Sequence, residues 1–436
     1  MENKYKKSRF IYVSNYNDKK IYYQSISKKM IVLKKEEVTN FENILNNPNN
    51  YLDKYPQFLN FLKSYKYIVD ISKNEIDELY VRNKIEVFSN KHYMLTINPT
   101  LNCNLSCWYC DAKVNNKSSI SDINISNIKK HIYHLFNSKK ITGIHLDWFG
   151  GEPLLQFDRV VYPLSKYAKE QACDKFDFTN HMTTNAVLFN TEIIRKCNEI
   201  NLNSFQITMD GIENKHNSVK NISGKPTYKV VVNNIIEILS VVNMSSVVLR
   251  INYDNETLKN IESIFGEFPK ELRCRIFVDF QRVWQTKKEA SASENLEKAL
   301  NLCIEYGYKT HYVFFDPRPY HTCYSDKYFH AVVNYDGNVY KCTSGDYKSE
   351  DIKGVLLDDG RIEWNDNVNN LFLAPTFDNE KCRECVFLSF CYGPCSNKIE
   401  KFKKLSESFE DICPKSYHEI ELDKYLVFLA KSNNLV

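Results

Sequence analysis

Cys103, Cys107 and Cys110 stand at C-x3-C-x2-C spacing within Asn102-Cys103-Asn104-Leu105-Ser106-Cys107-Trp108-Tyr109-Cys110. Three thiolates are one ligand short of a closed tetrahedral or cubane site. A [4Fe-4S] cluster held this way keeps one iron open, and a small chelating molecule can take that position. On spacing alone, a structural zinc loop without its fourth ligand, or three buried thiols, would read the same way. A second set follows in the last third of the chain: Cys323, Cys342, Cys382, Cys385, Cys391, Cys395 and Cys413. Its compact part, C-x2-C-x5-C-x3-C, also suits a zinc ribbon. These ten leave four of the 14 cysteines. Cys173, Cys197 and Cys303 lie in helical stretches with apolar neighbours and read as packing residues; Cys274 receives no chemistry either.

Four polar clusters lie between the two cysteine sets: Gly150-Gly151-Glu152-Pro153, Thr183-Thr184-Asn185, Asp210-Gly211 with His216 following, and Arg250-Ile251-Asn252-Tyr253. Paired glycines let backbone come close to a ligand, and a glutamate pairs with an ammonium group. Arg250 suits a carboxylate or a ribose. Alone, each cluster is a turn, a strand end or a loop start.

Their positions come from the surrounding elements. From about 91 to 308, β-rich runs alternate with helical-period segments, the pattern of a parallel β/α architecture. Strands are predicted at Tyr93 to Asn98, Gly143 to Phe149, Asp177 to Thr183, Ser204 to Met209, Val247 to Asn252 and Arg275 to Gln281. Helices are predicted near Ile123 to Phe136, Arg159 to Cys173, Glu192 to Glu199, Tyr228 to Val242, Leu258 to Phe268 and Asn295 to Tyr306. Six units are too few for a closed eightfold barrel, so the fold class is α/β with a partial (β/α)6 TIM-like barrel. Each polar cluster then falls at the C-terminal end of a strand, where barrel active sites lie. Residues 1–90 carry three short strands, Phe10 to Val13, Ile21 to Gln24 and Met30 to Leu33, followed by helical periodicity, which predicts a winged-helix-like unit. Residues 309–436 have little periodicity, seven cysteines and an apolar tail from Tyr417 to Leu429 that reads as a helix.

The 436 residues are 43% hydrophobic, 14% aromatic and 26% charged, with 12 Gly and 12 Pro, which excludes disorder as the main state. Lys and Arg (58) nearly balance Asp and Glu (54), so no nucleic-acid footprint is forced. The polar stretch Met1 to Arg9 lacks an apolar run with a cleavage site, and no run of about 18 apolar residues appears. The expectation is a cytoplasmic chain with no membrane and no nucleic-acid partner. In that compartment clustered thiols bind metal more often than they pair.

With Tyr109 before its last cysteine, the first triplet resembles the motif of the radical S-adenosylmethionine enzymes, and the resemblance runs along the whole middle section. It implies that Cys103, Cys107 and Cys110 hold a [4Fe-4S] cluster. Tyr109, Gly150, Gly151, Glu152, Pro153, Thr184, Asn185, Asp210, Arg250 and Asn252 are implied contacts of S-adenosylmethionine. The seven later cysteines resemble the SPASM domain, a C-terminal iron-sulfur module with two auxiliary [4Fe-4S] clusters, three in all. By that resemblance Cys382, Cys385, Cys391 and Cys413 hold one cluster, and Cys323, Cys342 and Cys395 the other. The latter is one ligand short: either His321, Asp316 or Cys303 completes it, or the site is open.

The resemblance implies hydrogen-atom abstraction from a peptide. The unit at 1–90 is similar in element order to elements that hold leader peptides of ribosomally made precursors, and an exposed sheet edge can take an extended peptide. Lys4, Lys6, Lys7, Arg9, Lys19, Lys20, Lys28 and Lys29 would attract an acidic leader. The expected partners are a precursor peptide and a small reductant protein, a flavodoxin or ferredoxin. The expected product is an intramolecular thioether or carbon-carbon crosslink. The alternatives are an anaerobic sulfatase maturase and a cluster-bearing scaffold without turnover. In sulfatase maturases an Asp directly after the second SPASM cysteine looks like the catalytic base, whereas Thr343 follows Cys342 here and the nearest Asp is Asp346. The catalytic residue is unassigned; His321, Asp346, Tyr320 and Tyr324 are candidates by location.

Overall fold

The computed structural model describes residues 4–110, 118–138, 140–173, 175–283, 292–312, 315, 322–345, 347–405, 408–416 and 421–436. Contacts divide the chain into two compact units, Met1–Glu86 with Tyr312–Thr322 and Ala374–Val436, and Val87–His311 with Cys323–Leu373. This division cuts across chain order.

The first unit begins with β1 (Tyr5–Lys7), β2 (Ile11–Tyr16), β3 (Lys19–Gln24) and β4 (Lys29–Lys34), then α1 (Lys35–Asn46), α2 (Pro56–Ser64), β5 (Ile68–Asp70) and α3 (Glu75–Val87). The three expected strands form an antiparallel meander, with Ile11 opposite Gln24 and Lys19 opposite Lys34. Asn17 takes positive φ (54°) at the first hairpin, a conformation asparagine tolerates better than most residues. The helical periodicity buries Phe41, Ile44, Leu45, Leu59 and Leu62 against Tyr22 and Tyr67. Three-residue β1 and β5, paired antiparallel, were too short to show a pattern. The end of the chain covers this meander. Tyr425 and Leu426 of the helix Leu422–Ser432 are buried, Tyr425 packs against Tyr23, and Phe390 stacks on Tyr23 and lies tilted against Tyr12. Residues 417–420 of the predicted tail helix lie outside the described residues.

The second unit contains β6 (Tyr93–Asn98), α4 (Asp122–Asn137), β7 (Gly143–Trp148), α5 (Tyr162–Ala172), β8 (Asp177–Thr184), α6 (Thr191–Glu199), β9 (Leu202–Met209) and α7 (Glu213–Val219). A short hairpin, β10 (Asn221–Ile222) and β11 (Lys225–Pro226), precedes α8 (Tyr228–Val241), β12 (Ser246–Tyr253), α9 (Asn255–Lys259), α10 (Ile261–Phe265), β13 (Ile276–Arg282), α11 (Ala292–Glu305) and β14 (Lys309–Thr310). All six predicted strands are present, parallel, in the order β13-β12-β9-β8-β7-β6 of one open sheet. The helix predicted over Leu258 to Phe268 is instead two short helices that meet at Asn260. Four further strands lie in the cysteine-rich stretch, where no strand was predicted: β15 (His330–Asn334), β16 (Asn338–Tyr340), β17 (Gly354–Leu356) and β18 (Ile362–Trp364). β15 joins β6 in parallel, and the other three continue antiparallel. The turn before β18 docks on α4, where His131 Nδ1 lies 2.8 Å from the Gly360 carbonyl.

Candidate active site at the mouth of the barrel

The Cys103–Cys110 loop leaves β6 and lies against the loop that leaves β7. Gly151 N–H donates to the Thr100 carbonyl (2.9 Å), and Glu152 N–H to the Asn102 carbonyl (2.9 Å). A Cβ on Gly150, whose φ is +122°, would sit 2.4 Å from the Thr100 oxygen, and one on Gly151 2.2 Å from the Asn102 oxygen. The glycine pair therefore lets two loops of the chain touch at the residues just before Cys103.

Glu152 has no exposure. It accepts from Leu154 N–H (3.0 Å), Thr184 Oγ1 (2.7 Å) and Asn185 N–H (2.8 Å). Burial raises its pKa to about 6, against the pull of these donors. The carboxylate thus locks the end of β8 to the glycine turn. From there Asn185 Nδ2 reaches Asn104 Oδ1 (2.8 Å) and Cys103 Sγ (3.7 Å), so the loops after β6, β7 and β8 form one bonded rim.

Asp210 gathers the other side. Its carboxylate accepts from Tyr109 Oη (2.7 and 2.8 Å) and Asn252 Nδ2 (2.7 Å), with Lys220 Nζ at 3.4 Å. Burial alone would raise the Asp210 carboxyl, but Lys220, Asn252 and Tyr109 together hold it below the usual value. The structure therefore brings Tyr109, Asp210 and Asn252 together. Arg250 lies two residues before Asn252, in register with Thr208 and Asp279; burial would raise the Asp279 carboxyl, but His311, Gln281 and, behind them, the Arg250 charge hold it low. His216 accepts from Asp210 N–H through Nδ1 (3.3 Å) and is kept neutral mainly by burial.

Lys220 is the residue that sequence reasoning missed. It is buried, donates to the Thr208 carbonyl (2.8 Å) and pairs with Asp210. In sequence it is a single lysine four residues after His216 and ten after Asp210, too little to single it out.

Burial pushes the Cys103 thiol up to about 12, and Cys107 is raised for the same reason. Cys103 also feels the charges of Cys107 and Cys110, and Cys107 feels Lys220 and Asp210. Among the described residues no three His, Cys, Asp or Glu side chains are closed tightly enough to hold a metal ion. The trio is electrostatically in contact but not drawn together, and burial disfavours bare thiolates until a cation binds. Three sulfurs on one loop, with no fourth, fit a cube that keeps one iron open.

The later cysteines fall in different units. Cys382, Cys385, Cys391 and Cys413 all belong to the first. Cys391, pushed up to about 12 by burial, feels Cys382, Cys413 and Cys385. Cys395 is in the same unit, whereas Cys323 and Cys342 belong to the barrel unit. There Tyr324, half-buried and with its pKa raised, lies against both, with Oη 3.8 Å from Cys342 Sγ and 2.7 Å from Thr343 Oγ1. Cys303 is buried in α11, its thiol towards the Lys309 carbonyl. His321, Asp316, Tyr320 and Asp346 lie outside the described residues.

Residues 97–266, which hold the triplet, the glycine turn and Asp210, match the family model of the Radical SAM superfamily. The barrel is a radical SAM domain. An uncharacterized protein of Methanocaldococcus jannaschii is 32% identical over 123 residues, 28% of this chain, and the match spans 40% of that relative's length. Among solved structures, anSMEcpe with bound AdoMet has a TM-score of 0.56 at 16% identity, over 78% of this chain and 92% of that one. Streptococcus suis SuiB bound to precursor peptide SuiA has a TM-score of 0.53 at 14% identity, over 94% of this chain and all of the other. At these identities the likeness is one of fold. A radical SAM domain implies a [4Fe-4S] cluster and S-adenosylmethionine; when bound they supply one-electron cleavage to a carbon radical that takes a hydrogen atom. The chain's own part is to fix the cysteine loop through Gly151, Glu152 and Asn185 and to keep one charged pair, Asp210 and Lys220, out of water beside it. Among the described residues no helix is long and apolar enough to cross a membrane.

Proposed function

We propose that this chain is a radical SAM peptide maturase that takes a hydrogen atom from a precursor peptide and closes an intramolecular thioether or carbon-carbon crosslink. In this reading Cys103, Cys107 and Cys110 hold the cluster that works with S-adenosylmethionine, beside the rim built by Gly150, Gly151, Glu152, Pro153, Thr184 and Asn185 and the group Tyr109, Asp210 and Asn252. Cys382, Cys385, Cys391 and Cys413 hold an auxiliary cluster, and Cys323, Cys342 and Cys395 are kept as the ligands of another.

The observation that carries the reading is coverage. The likeness to SuiB bound to precursor peptide SuiA extends over 94% of this chain, whereas that to anSMEcpe stops at 78%. The N-terminal unit supports it: among the described residues β4 pairs with β3 alone, and it carries Lys29 and Lys34, so an extended acidic leader can join it as a further strand. The sulfatase-maturase reading draws on the anSMEcpe likeness, but Thr343 stands where its base would be. A small reductant protein supplies the electron.

The test is co-expression under anaerobic conditions with the short reading frames beside the gene. A peptide lighter by about two hydrogens per crosslink is expected. A peptide whose only change is oxidation of one Cys or Ser to an aldehyde would replace this reading with the sulfatase-maturase one.

A further inference from the structure

The inner face of a parallel barrel is ordinarily filled by branched apolar side chains. Trp148 marks the outer face of this one, its indole donating to Ser165 on α5 (3.1 Å). Side chains alternate along a strand, so Asp147 points the other way. One register row crosses four strands on that inner face: Thr96 pairs with Asp147, Asp147 with His181, and His181 with Ser204. Every member is polar. Thr96 Oγ1 donates to Asp147 Oδ2 (3.1 Å), and His181 Nδ1 lies 2.9 Å from Ser204 Oγ. Between them Asp147 Oδ1 is buried, has no hydrogen-bond partner among the described residues, and stands 3.9 Å from His181 Nε2. One row down, His145 bonds Thr179 Oγ1 (2.8 Å) and stacks on His181 at 6.2 Å.

A buried polar row costs stability that apolar residues would not, and a carboxylate oxygen without a donor costs most. Among the described residues none of the groups that build the mouth, Glu152, Asn185 or Asp210, bonds to it. Asp147 lies three residues before Gly150, about 10 Å down the inner face at the usual strand rise.

We propose that Asp147 is the proton acceptor for the peptide substrate, with His181 behind it. This rests on the crosslinking reading. Joining two groups of one peptide removes two hydrogens. One leaves as an atom and ends on 5'-deoxyadenosine. The other divides: its electron goes to an iron-sulfur centre and its proton to the Asp147 carboxylate, while the new carbon-sulfur or carbon-carbon bond forms. The peptide loses two electrons, one with the hydrogen atom and one to that centre.

Burial raises the Asp147 carboxyl, which makes its anion a stronger base than an exposed aspartate. The titratable groups facing it are His145 on its own strand, His181 on β8, and Tyr347 after β16. His145 and His181 are held at about 4, mainly by burial, so both are neutral near pH 7. His181 therefore stands beside the carboxyl as a neutral imidazole, with Nε2 3.9 Å from Oδ1.

The test uses the full chain reconstituted with iron and sulfide, S-adenosylmethionine, and as substrate the peptide encoded by the neighbouring reading frame. In Asp147→Asn, crosslinked product per 5'-deoxyadenosine should fall about 100-fold, the usual worth of a general base. Peptide affinity, measured by anisotropy without S-adenosylmethionine, should move less than about twofold, and Asp147→Glu should recover at least about a tenth of the ratio. A ratio within about threefold of wild type, or an affinity loss as large as the product loss, overturns the role. Should Asp147→Asn not fold by circular dichroism, Asp147→Glu and His181→Gln carry the test: an unchanged ratio and pH profile in both overturns it. Wild-type protein that releases 5'-deoxyadenosine without any crosslinked peptide would instead overturn the crosslinking reading, and this role with it.

Discussion

The two units hold their cysteines in opposite ways. In the barrel unit, Cys103, Cys107 and Cys110 ride on a loop whose position is set without them: strands β6 to β9 are in register, and Gly151, Glu152 and Asn185 bond the loop in place. In the first unit, Cys382, Cys385, Cys391 and Cys413 lie on short helices of four or five residues and their caps. Those helices are too short to be stable alone. Among the described residues the segment is held on the N-terminal part of its unit, by Phe390 and Tyr425 on the meander and by Tyr80 against Phe377. The barrel therefore positions its cysteines by itself, whereas in the proposed reading the cysteine segment needs a cluster, or its neighbour, to have a shape.

That contrast orders the expected losses. Replacing Cys103, Cys107 or Cys110 by Ala should abolish 5'-deoxyadenosine formation while the barrel's circular dichroism and melting change little, since the rim is bonded elsewhere. Replacing Cys391 by Ala should do the reverse. If the proposed three cubes give about twelve irons, about four should be lost, and the first unit should become the protease-sensitive one. Equal proteolysis in both variants would break the comparison.

Next in size is the buried pair of the barrel. Lys220→Met strands the Asp210 carboxylate out of water, at a cost of about 3–5 kcal/mol, readable in urea unfolding. Adding Asp210→Asn should return most of that loss. A double variant no better than the single would mean that Lys220 acts through the Thr208 carbonyl rather than through Asp210.

Glu152 sharpens the point that the barrel stores cost at its mouth. Its folded pKa of about 6 lies above the unfolded value, so its contribution is fully present below about pH 4.5 and is lost as pH rises through about 6. The shift corresponds to about 2 kcal/mol between those limits. Stability measured at pH 4.5 and 7 should show that decline in wild type and lose it in Glu152→Gln. An identical decline in both would assign it to other groups.

The same contrast explains what the sequence disclosed. The strands were legible because each is six to eight residues of alternating or apolar pattern, and the polar clusters fell at their ends as barrel geometry requires. Cys103, Glu152 and Asp210 could be singled out from motif and position. Lys220 could not, because a single lysine in a polar helix end has no period. Nor could Asp147 and His181, whose alignment exists only once β7 and β8 are in register. β15 to β18 escaped because runs of three to five residues between cysteines carry too little pattern. The packing of the chain's end on its beginning is a contact across more than 350 positions, as in Tyr12 with Ser389 (2.8 Å), and no local signal encodes it.

That last contact gives the smallest effect and the finest test. Tyr12 Oη bonds Ser389 Oγ and the Val386 carbonyl, and burial pushes its pKa up to about 12, so it is a neutral donor at any working pH. Tyr12→Phe keeps the ring against Phe390 and removes only the hydroxyl. Ser389 keeps Ser25 Oγ at 2.6 Å, so one hydrogen-bonding group, the Val386 carbonyl, loses a donor. The cost should be about 1 kcal/mol. If the cysteine segment takes its shape mainly from its cluster, iron content after reconstitution should be unchanged and the loss should appear only in iron-free protein. If the meander sets that shape, Tyr12→Phe should slow cluster loading as well, and the barrel's 5'-deoxyadenosine formation should stay at the wild-type level in either case.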